Sequence, residues 1–156
     1  MSVANDLHTA KIAHLDLSSY VLVKPNASVS EVLSRMRENK VSAVLVESDD
    51  GKLAGIFTER DVLMKVVDDP STWTLAIDEI MTTDPQTVSP EDSVGDALQI
   101  MNAGHYRNAP VLDSDGSIVG NVEHRTMIRF LTDRFPREIY NLPPDPEQIP
   151  RTREGA

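Results

Sequence analysis

Apolar and polar residues follow two different periods along the first half of the chain. Residues 20–23 form a short run of β-type residues. A stripe with the i, i+3, i+4, i+7 spacing of an amphipathic helix comes next, and it consists of Val29, Val32, Leu33 and Met36. Ser28 and Glu31, three residues apart, match a capping box at the start of this helix. The pattern predicts a strand followed by a helix.

The next stretch predicts two strands and a second helix. Residues 43–46 are continuously apolar, which is typical of a strand covered on both faces. An Asp-Asp-Gly turn at residues 49–51 leads into residues 53–57, so these two strands are predicted to form a hairpin. Thr58 then opens a helix, and four apolar residues are predicted on its inner face, namely Val62, Leu63, Val66 and Val67.

The second half of the chain repeats this pattern. A shift of 65 positions, as from Val23 to Val88, aligns the two halves without a gap. Identical residues then coincide in the helix and in the turn, as for Ser28 with Ser93, Met36 with Met101, Gly51 with Gly116 and Gly55 with Gly120. The helical stripe recurs as Val94, Ala97, Leu98 and Met101. A fixed period of this kind indicates a duplication, and the fold class is therefore α/β, with two βαββα repeats in tandem.

The repeats divide the chain into five segments. We expect a lead-in over residues 1–16, the first repeat over 17–68, a connector over 69–79, the second repeat over 80–135 and a tail over 136–156. Trp73, in the connector, is predicted to pack on the core as an anchor. Half of the ten prolines fall in the tail. Because proline fixes φ and lacks an N–H donor, the tail is predicted to be extended or disordered.

The charge and composition exclude several classes of function. The formal net charge is −10 and the lysines and arginines are scattered, whereas a nucleic-acid partner requires a basic face. There are no cysteines and no run of 18 apolar residues, so disulfides and a membrane partner are not expected. No targeting segment is evident, and a cytoplasmic location is predicted.

Two motifs make the chain similar to a known family. Residues 55–61 (GIFTERD) resemble the Gly-x-x-Thr-x-Arg-Asp ending of a CBS repeat, and residues 104–111 (GHYRNAPV) resemble its Gly-x-x-Arg-x-x-Pro-Val strand. With the duplicated βαββα order, residues 12–135 resemble a CBS domain pair, or Bateman module, that stands alone. The resemblance implies two repeats packed about a pseudo-two-fold axis with clefts between them. It also implies a regulatory module that senses an adenosine-containing ligand (AMP, ADP, ATP or S-adenosylmethionine) and requires no cofactor.

Thr58 and Asp61 are the residues with the clearest chemistry for such a ligand. A carboxylate at the first turn of a helix can accept two charge-assisted hydrogen bonds from the vicinal hydroxyls of a ribose. The Thr58 hydroxyl can bond to the ribose or to a phosphate. The same pair also matches a plain helix cap, in which Asp61 only complements the helix dipole. The two roles are compatible.

The resemblance also supplies the other residues of the predicted site. It places Met81, Pro85 and Gln86 beside the adenine, on the first strand of the opposite repeat. Ser42 and Val44 line the other wall, and Gly55 lies on the strand that leads into Thr58. His105 and Arg107 are predicted to contact phosphates, with a solvated surface pair as the alternative.

The second repeat departs from the motif. Glu123 and Thr126 occupy the positions of Thr58 and Asp61, and Asn121 replaces the apolar Ile56. The ribose carboxylate is absent, and a negative charge lies where a hydroxyl would face a phosphate. We therefore predict one nucleotide per chain, in the cleft that carries Asp61.

Two other classes of function compete with this interpretation. A protein-interaction module with degenerate, ligand-free sites is the main alternative. An enzyme is not expected, because the sequence shows no positioned nucleophile and no acid–base pair. The four histidines are also not spaced as metal ligands would be. A homodimer is predicted from the resemblance, with Met64 and Phe130 as apolar residues that have no evident inward role.

Overall fold

The elements of the two repeats follow each other in the order that the duplication predicts. The computed structural model describes residues 3–135. The first half contains α1 (Val3–Thr9), β1 (Val21–Val23), α2 (Val29–Asn39), β2 (Ala43–Glu47), β3 (Leu53–Thr58) and α3 (Glu59–Asp61), which continues as a π-helical segment, Val62–Val66. The second half contains β4 (Thr82–Thr83), α4 (Val94–Gly104), β5 (Asn108–Leu112), β6 (Ile118–Glu123) and α5 (His124–Arg134). Single 3₁₀ turns lie at Ile12–His14, Pro70–Thr74 and Ile77–Glu79.

The segment that precedes the first strand of each repeat pairs with the hairpin of the other repeat. In the first sheet the strand order is β1-β2-β3-β4, so β4 from the second half pairs antiparallel with β3. In the second half β5 and β6 form the predicted hairpin, and Ser18, which precedes β1, makes a single bridge to Asn121. This exchange brings residues 81–86 against the first repeat.

The first strand of the second repeat is shorter than the repeat pattern predicts. Val88 makes only a single parallel bridge to Val111, where the first repeat has a three-residue pairing of β1 with β2. Pro85 and Pro90 flank this segment, and proline cannot donate to a ladder. The segment between them has a single apolar residue, Val88, and forms a bridge and no full strand.

The α2 and α4 helices begin with matching caps. Ser28 accepts a hydrogen bond from the Glu31 amide (3.2 Å), but the Glu31 side chain does not return one to Ser28 among the described contacts, so only half of the predicted box forms. In α4 the box is complete, because Asp96 Oδ2 accepts from the Ser93 amide (3.2 Å) and hydroxyl (2.7 Å). These bonds, the one from the hydroxyl first, lower the pKa of Asp96 below its ordinary value.

Each repeat has its own apolar core, and residues at equivalent positions meet between the repeats. The predicted stripes are buried or half-buried in these cores, as shown by Val29, Met36, Val94 and Met101. Lys52 bridges to Ser117, 65 positions later. Leu53 and Ile118, also 65 positions apart, pack against one cluster formed by Ala43, Leu45 and Ile56. Contacts between equivalent residues of two repeats are expected where a pseudo-two-fold axis passes between the repeats.

Several side chains lie elsewhere than predicted. Leu63 and Val67 are 69% and 58% exposed, because the π-helical bonding after α3 leaves only Val62 and Val66 against the core. Trp73 is 50% exposed, and its neighbour Thr72 is the buried residue of that turn.

Two further predictions concern the end of the chain. Phe130 is half-buried, and the Arg134 guanidinium lies 5.6 Å from the centre of its ring, so Phe130 has a local partner after all. The predicted tail, 136–156, lies outside the described residues. No helix within residues 3–135 has the length and apolar character needed to cross a bilayer.

Candidate functional site

The cleft between the repeats is built where a strand ends and a helix begins in each of them. It has a volume of about 720 Å³. Thr58 and Asp61 contribute the first β–α junction, and Glu123 and Arg125 contribute the second. Residues 84–86, carried next to the first repeat by the β3–β4 pairing, close one side. Both repeats and the exchanged segment are therefore required to form the cleft.

Asp61 is the most constrained acid of the cleft. Its Oδ2 accepts from the Thr58 amide (2.9 Å) and from Thr58 Oγ1 (3.2 Å). Its Oδ1 lies 2.9 Å from Lys65 Nζ, which also donates to the Ile80 carbonyl (2.7 Å). Asp61 therefore closes the start of α3 by direct bonds from Thr58, which is more than the complement to the helix dipole that the plain cap predicts. A carboxylate has about four acceptor positions, so Asp61 retains capacity for a hydroxyl donor in the cleft.

A polar contact joins the two repeats in the lining of the cleft. Ser42 Oγ donates to Glu123 Oε1 at 3.0 Å and lies 3.4 Å from Asn108 Oδ1. The same Asn108 oxygen accepts from Asn121 Nδ2 at 2.9 Å. Asn121 is fully buried, and its Oδ1 has no hydrogen-bond partner among the described residues. Two of the three departures of the second repeat from the motif, Asn121 and Glu123, therefore belong to one network that reaches Ser42 in the first repeat.

Seven of the ten predicted site residues line this one cleft. They are Ser42, Thr58, Asp61, Pro85, Gln86, His105 and Arg107. Because His105 and Arg107 belong to the second repeat, the structure brings both repeats' predicted residues together. Whether these residues contact a ligand stays a prediction.

Val44, Gly55 and Met81 do not line the cleft. Val44 is fully buried in the core of the first repeat, opposite Phe57 in the hairpin. Gly55 lies beneath the exchanged segment, where an added Cβ would come within 2.6 Å of Met81 Sδ and 2.7 Å of the Thr82 carbonyl. Met81 packs over this glycine and against the same core. These three residues lie in the packing that supports the wall of the cleft and do not face the cleft itself.

The glycine of the second repeat has the equivalent role. A Cβ on Gly120 would collide with the Leu17 side chain and lie 3.1 Å from the Leu17 carbonyl. Leu17 and Thr82 are 65 positions apart, as are Gly120 and Gly55. Each exchanged segment thus crosses its partner sheet at a glycine, because only a residue without Cβ permits the approach.

The prediction missed several cleft residues, among them Arg60, Arg125 and Tyr106. Arg60 and Arg125 are equivalent positions of the two repeats, so the alignment of the halves already contained the signal. Tyr106 is 43% exposed, and its ring lies so close to Gly104 that no Cβ fits there. It lines the cleft, but sequence alone does not distinguish it from an ordinary surface tyrosine.

A second cavity of about 580 Å³ adjoins the first. Arg60, His105, Arg107 and His124 border both cavities. Leu98, Gln99, Met101 and Asn102 of α4 also line the second cavity. No group of three or more His, Asp or Glu side chains within residues 3–135 is arranged to hold a metal ion. The residues shared by the two cavities are thus mainly arginines and histidines, which carry polar nitrogen donors.

The family model for the CBS domain matches this chain twice, over residues 12–68 and 77–133. Among curated proteins, CBSCBSPB3 of Arabidopsis thaliana, a CBS domain-containing protein, is 36% identical over 109 residues. That match covers 69% of this chain and 19% of the plant protein, so this chain spans about a fifth of its length. An uncharacterised 17.7 kDa protein of Acidianus ambivalens is 29% identical over 127 residues, which cover 79% of this chain and 74% of that protein.

Solved structures agree with the fold. An uncharacterised conserved protein from Pyrococcus horikoshii superposes with a TM-score of 0.72 at 26% identity, covering 79% of this chain and 92% of that one. CBSX2 in complex with AMP has a TM-score of 0.67 at 23% identity, covering 80% of this chain and 98% of that one. The cytosolic domain of the Mg²⁺ channel MgtE in complex with ATP has a TM-score of 0.61 at 24% identity, covering 72% and 45%. Because the family model matches each of the two repeats, the chain belongs to the CBS domain family as a tandem pair.

Proposed function

We propose that this CBS pair is a regulatory module that binds an adenosine-containing ligand in the cleft between its repeats. One observation carries the proposal: the Thr58 and Asp61 pair faces the same cleft as Ser42, Pro85 and Gln86. These groups supply a carboxylate, hydroxyls and an amide around a partly apolar space, which are the chemistry that a ribose and a purine require. The AMP and ATP complexes of CBSX2 and MgtE, which share the fold, support this class of ligand.

Ligand-dependent thermal unfolding tests this function. A ligand at 100 times its dissociation constant stabilises the folded state by about 2.7 kcal/mol. We expect AMP, ADP or ATP to raise the melting temperature of the wild-type chain and to raise that of Asp61→Ala much less. Asp68→Ala is the matched control, since Asp68 is exposed and does not line the cleft. No shift with any adenosine compound, at millimolar concentration, would refute the proposal.

A ligand-free interaction module is the second candidate function. The observation in its favour is that Asp61 is already bonded to Thr58 and Lys65, so the acid has a structural role without a ligand. The melting experiment separates the two functions, because this second candidate predicts no shift with any nucleotide. Neither candidate includes catalysis, and regulation of another protein is the role proposed for the module.

The pair is also proposed to associate as a homodimer. Leu63, Met64 and Val67 expose 69%, 78% and 58% of their surface on consecutive turns after Asp61. Ile128, equivalent to Leu63 in the second repeat, is 48% exposed. A group of large apolar side chains of this kind marks an interaction surface. A second copy of the chain buries this face, and Phe130 is not part of it.

A further inference from the structure

Arginines from both repeats converge on the cleft of this acidic protein. Arg60 follows β3 in the first repeat, whereas Arg107 precedes β5 and Arg125 follows β6 in the second repeat. All three are exposed, and none of them pairs with a carboxylate among the described residues. A guanidinium group remains charged at any physiological pH and matches phosphate oxygens with two parallel bonds.

Arg60 and Arg107 border the same two cavities from opposite repeats. His105 and His124 border the two cavities as well. Two guanidinium groups that line the same two cavities can each donate hydrogen bonds to one anion, one group from each repeat. The position of the two arginines therefore favours an anion that reaches across the repeat boundary, beyond the ribose position at Asp61.

The charges of the cleft are balanced although the chain is strongly negative. Its four carboxylates are Glu59, Asp61, Asp84 and Glu123. Lys65, paired with Asp61, and the three arginines match these four before either histidine is counted. The chain as a whole carries −10. Each added phosphate of a nucleotide can accept hydrogen bonds from a guanidinium group that has no carboxylate partner among the described residues, whereas a sulfonium group accepts none.

We infer that the cleft selects a nucleoside polyphosphate, ADP or ATP, over AMP and over the sulfonium ligand S-adenosylmethionine. This inference rests on the proposed function. The adenosine part lies at Thr58 and Asp61, and the β- and γ-phosphates extend toward Arg60 and Arg107, between the two cavities. Because the two arginines come from different repeats, the polyphosphate holds the repeats together.

Isothermal titration calorimetry with AMP, ADP, ATP and S-adenosylmethionine tests the inference on the full chain. Affinity should rise from AMP to ADP to ATP, with S-adenosylmethionine the weakest. Arg60→Ala and Arg107→Ala should each weaken ATP about tenfold or more, the scale of hydrogen bonds to charged groups, and should weaken AMP much less. Arg60→Lys, which keeps the charge but loses the paired geometry, should lie between the wild type and Arg60→Ala.

The control is Arg37→Ala, since Arg37 is an exposed arginine of α2 outside both cavities. It should leave all four affinities unchanged, and circular dichroism should show that every variant is folded. AMP or S-adenosylmethionine binding as tightly as ATP would overturn the inference while leaving the proposed function intact. An equal loss for AMP and ATP in Arg60→Ala and Arg107→Ala would also overturn it. Binding of none of the four would overturn the proposed function itself.

Discussion

Ser42 and Glu123 form a 3.0 Å hydrogen bond that crosses from the first repeat to the second. Glu123 occupies the position equivalent to Thr58, so the acid that replaces a hydroxyl in one repeat reaches a hydroxyl of the other. The bond holds a carboxylate in the lining of a cleft that also carries three arginines. Glu123 thus adds a negative charge to the cleft proposed for an anionic ligand.

The first prediction follows from this competition. Glu123→Gln keeps the shape of the side chain and removes its charge. We expect the affinity for ATP to rise at least about fivefold, because the repulsion of unit charges 4 Å apart is about 1 kcal/mol in water and about 4 kcal/mol at an effective dielectric of 20. Titration calorimetry at two salt concentrations measures the change, which should shrink at high salt. Glu47→Gln, outside the cleft, is the control. Unchanged or weaker ATP binding would mean that Glu123 lies away from the bound phosphates.

Asp61 is predicted to serve the ligand as well as the helix cap. Asp61→Ala should weaken nucleotide binding by about 1.5–3 kcal/mol, the range for hydrogen bonds to charged groups. Lys65→Ala removes the ion pair but keeps the carboxylate, and it should cost only about 0.5 kcal/mol of folding stability because the lysine is exposed. Calorimetry and chemical denaturation on both variants separate binding from stability. Equal losses of affinity in the two variants would assign Asp61 to positioning the helix alone.

The duplication accounts for most of what the sequence could predict. It pairs positions with the same backbone, as for Lys40 and His105, which end α2 and α4 in the left-handed region with φ of 53° and 55°. It likewise pairs Gly51 and Gly116 in the two hairpin turns, with φ of 79° and 77°. The burial of the helical stripes follows from the same periodicity. These features depend on residues close in the chain, which is why a local pattern predicts them.

The features that the sequence did not reveal depend on contacts between distant segments. Val44 was placed at the ligand by resemblance, but its side chain points into the core because β2 is covered on both faces. Leu63 has the spacing of an inner residue, yet the π-helical bonding after Asp61 turns it toward the cleft and solvent. The Ser42 to Glu123 bond joins residues 81 positions apart. No local pattern contains such a pairing.

The apolar face after Asp61 gives a prediction about assembly. Val67→Asp introduces a charge on the exposed face but outside the cleft, so we expect it to convert the proposed dimer to a monomer and to leave nucleotide affinity unchanged. Light scattering coupled to size-exclusion chromatography measures the mass. Lys65, at an adjacent exposed position, provides the control variant Lys65→Ala, which should remain dimeric. A wild-type monomer at high micromolar concentration would contradict the proposed dimer.

The cap of α4 gives a prediction about pH. Hydrogen bonds from the Ser93 hydroxyl and amide lower the pKa of Asp96 in the folded state. A lowered folded-state pKa stabilises the protein above the ordinary pKa of aspartate, about 3.9, and this contribution is lost as the pH falls from there through the folded-state pKa. Asp96→Asn should therefore lower the melting temperature at pH 7, and the gap to wild type should narrow as the pH falls below about 4.

A matched variant isolates this effect from general acid denaturation. Asp68→Asn removes an exposed carboxylate that makes no side-chain hydrogen bond to the described residues, so its melting curve should follow wild type at both pH values. Asp16 and Asp50 also have lowered pKa values, but they are present in all three proteins and cancel in the comparison. A constant gap between Asp96→Asn and wild type from pH 7 to pH 3 would show that the charge of Asp96 is irrelevant to the cap.

The two repeats are predicted to differ in ligand capacity, with one nucleotide bound per chain. Only the first repeat combines a hydroxyl at Thr58 with a carboxylate at Asp61, whereas the second has Glu123 and Thr126. Two unit charges 4 Å apart cost about 4 kcal/mol at an effective dielectric of 20. Millimolar binding has a total free energy of about 4 kcal/mol, so Glu123 suffices to abolish a weak second site.

Calorimetry should give a stoichiometry near one, and Glu123→Thr combined with Thr126→Asp should raise it toward two. Thr126→Asp alone, which keeps the repelling acid, should leave the stoichiometry at one, and two equal sites in the wild type would disprove the asymmetry.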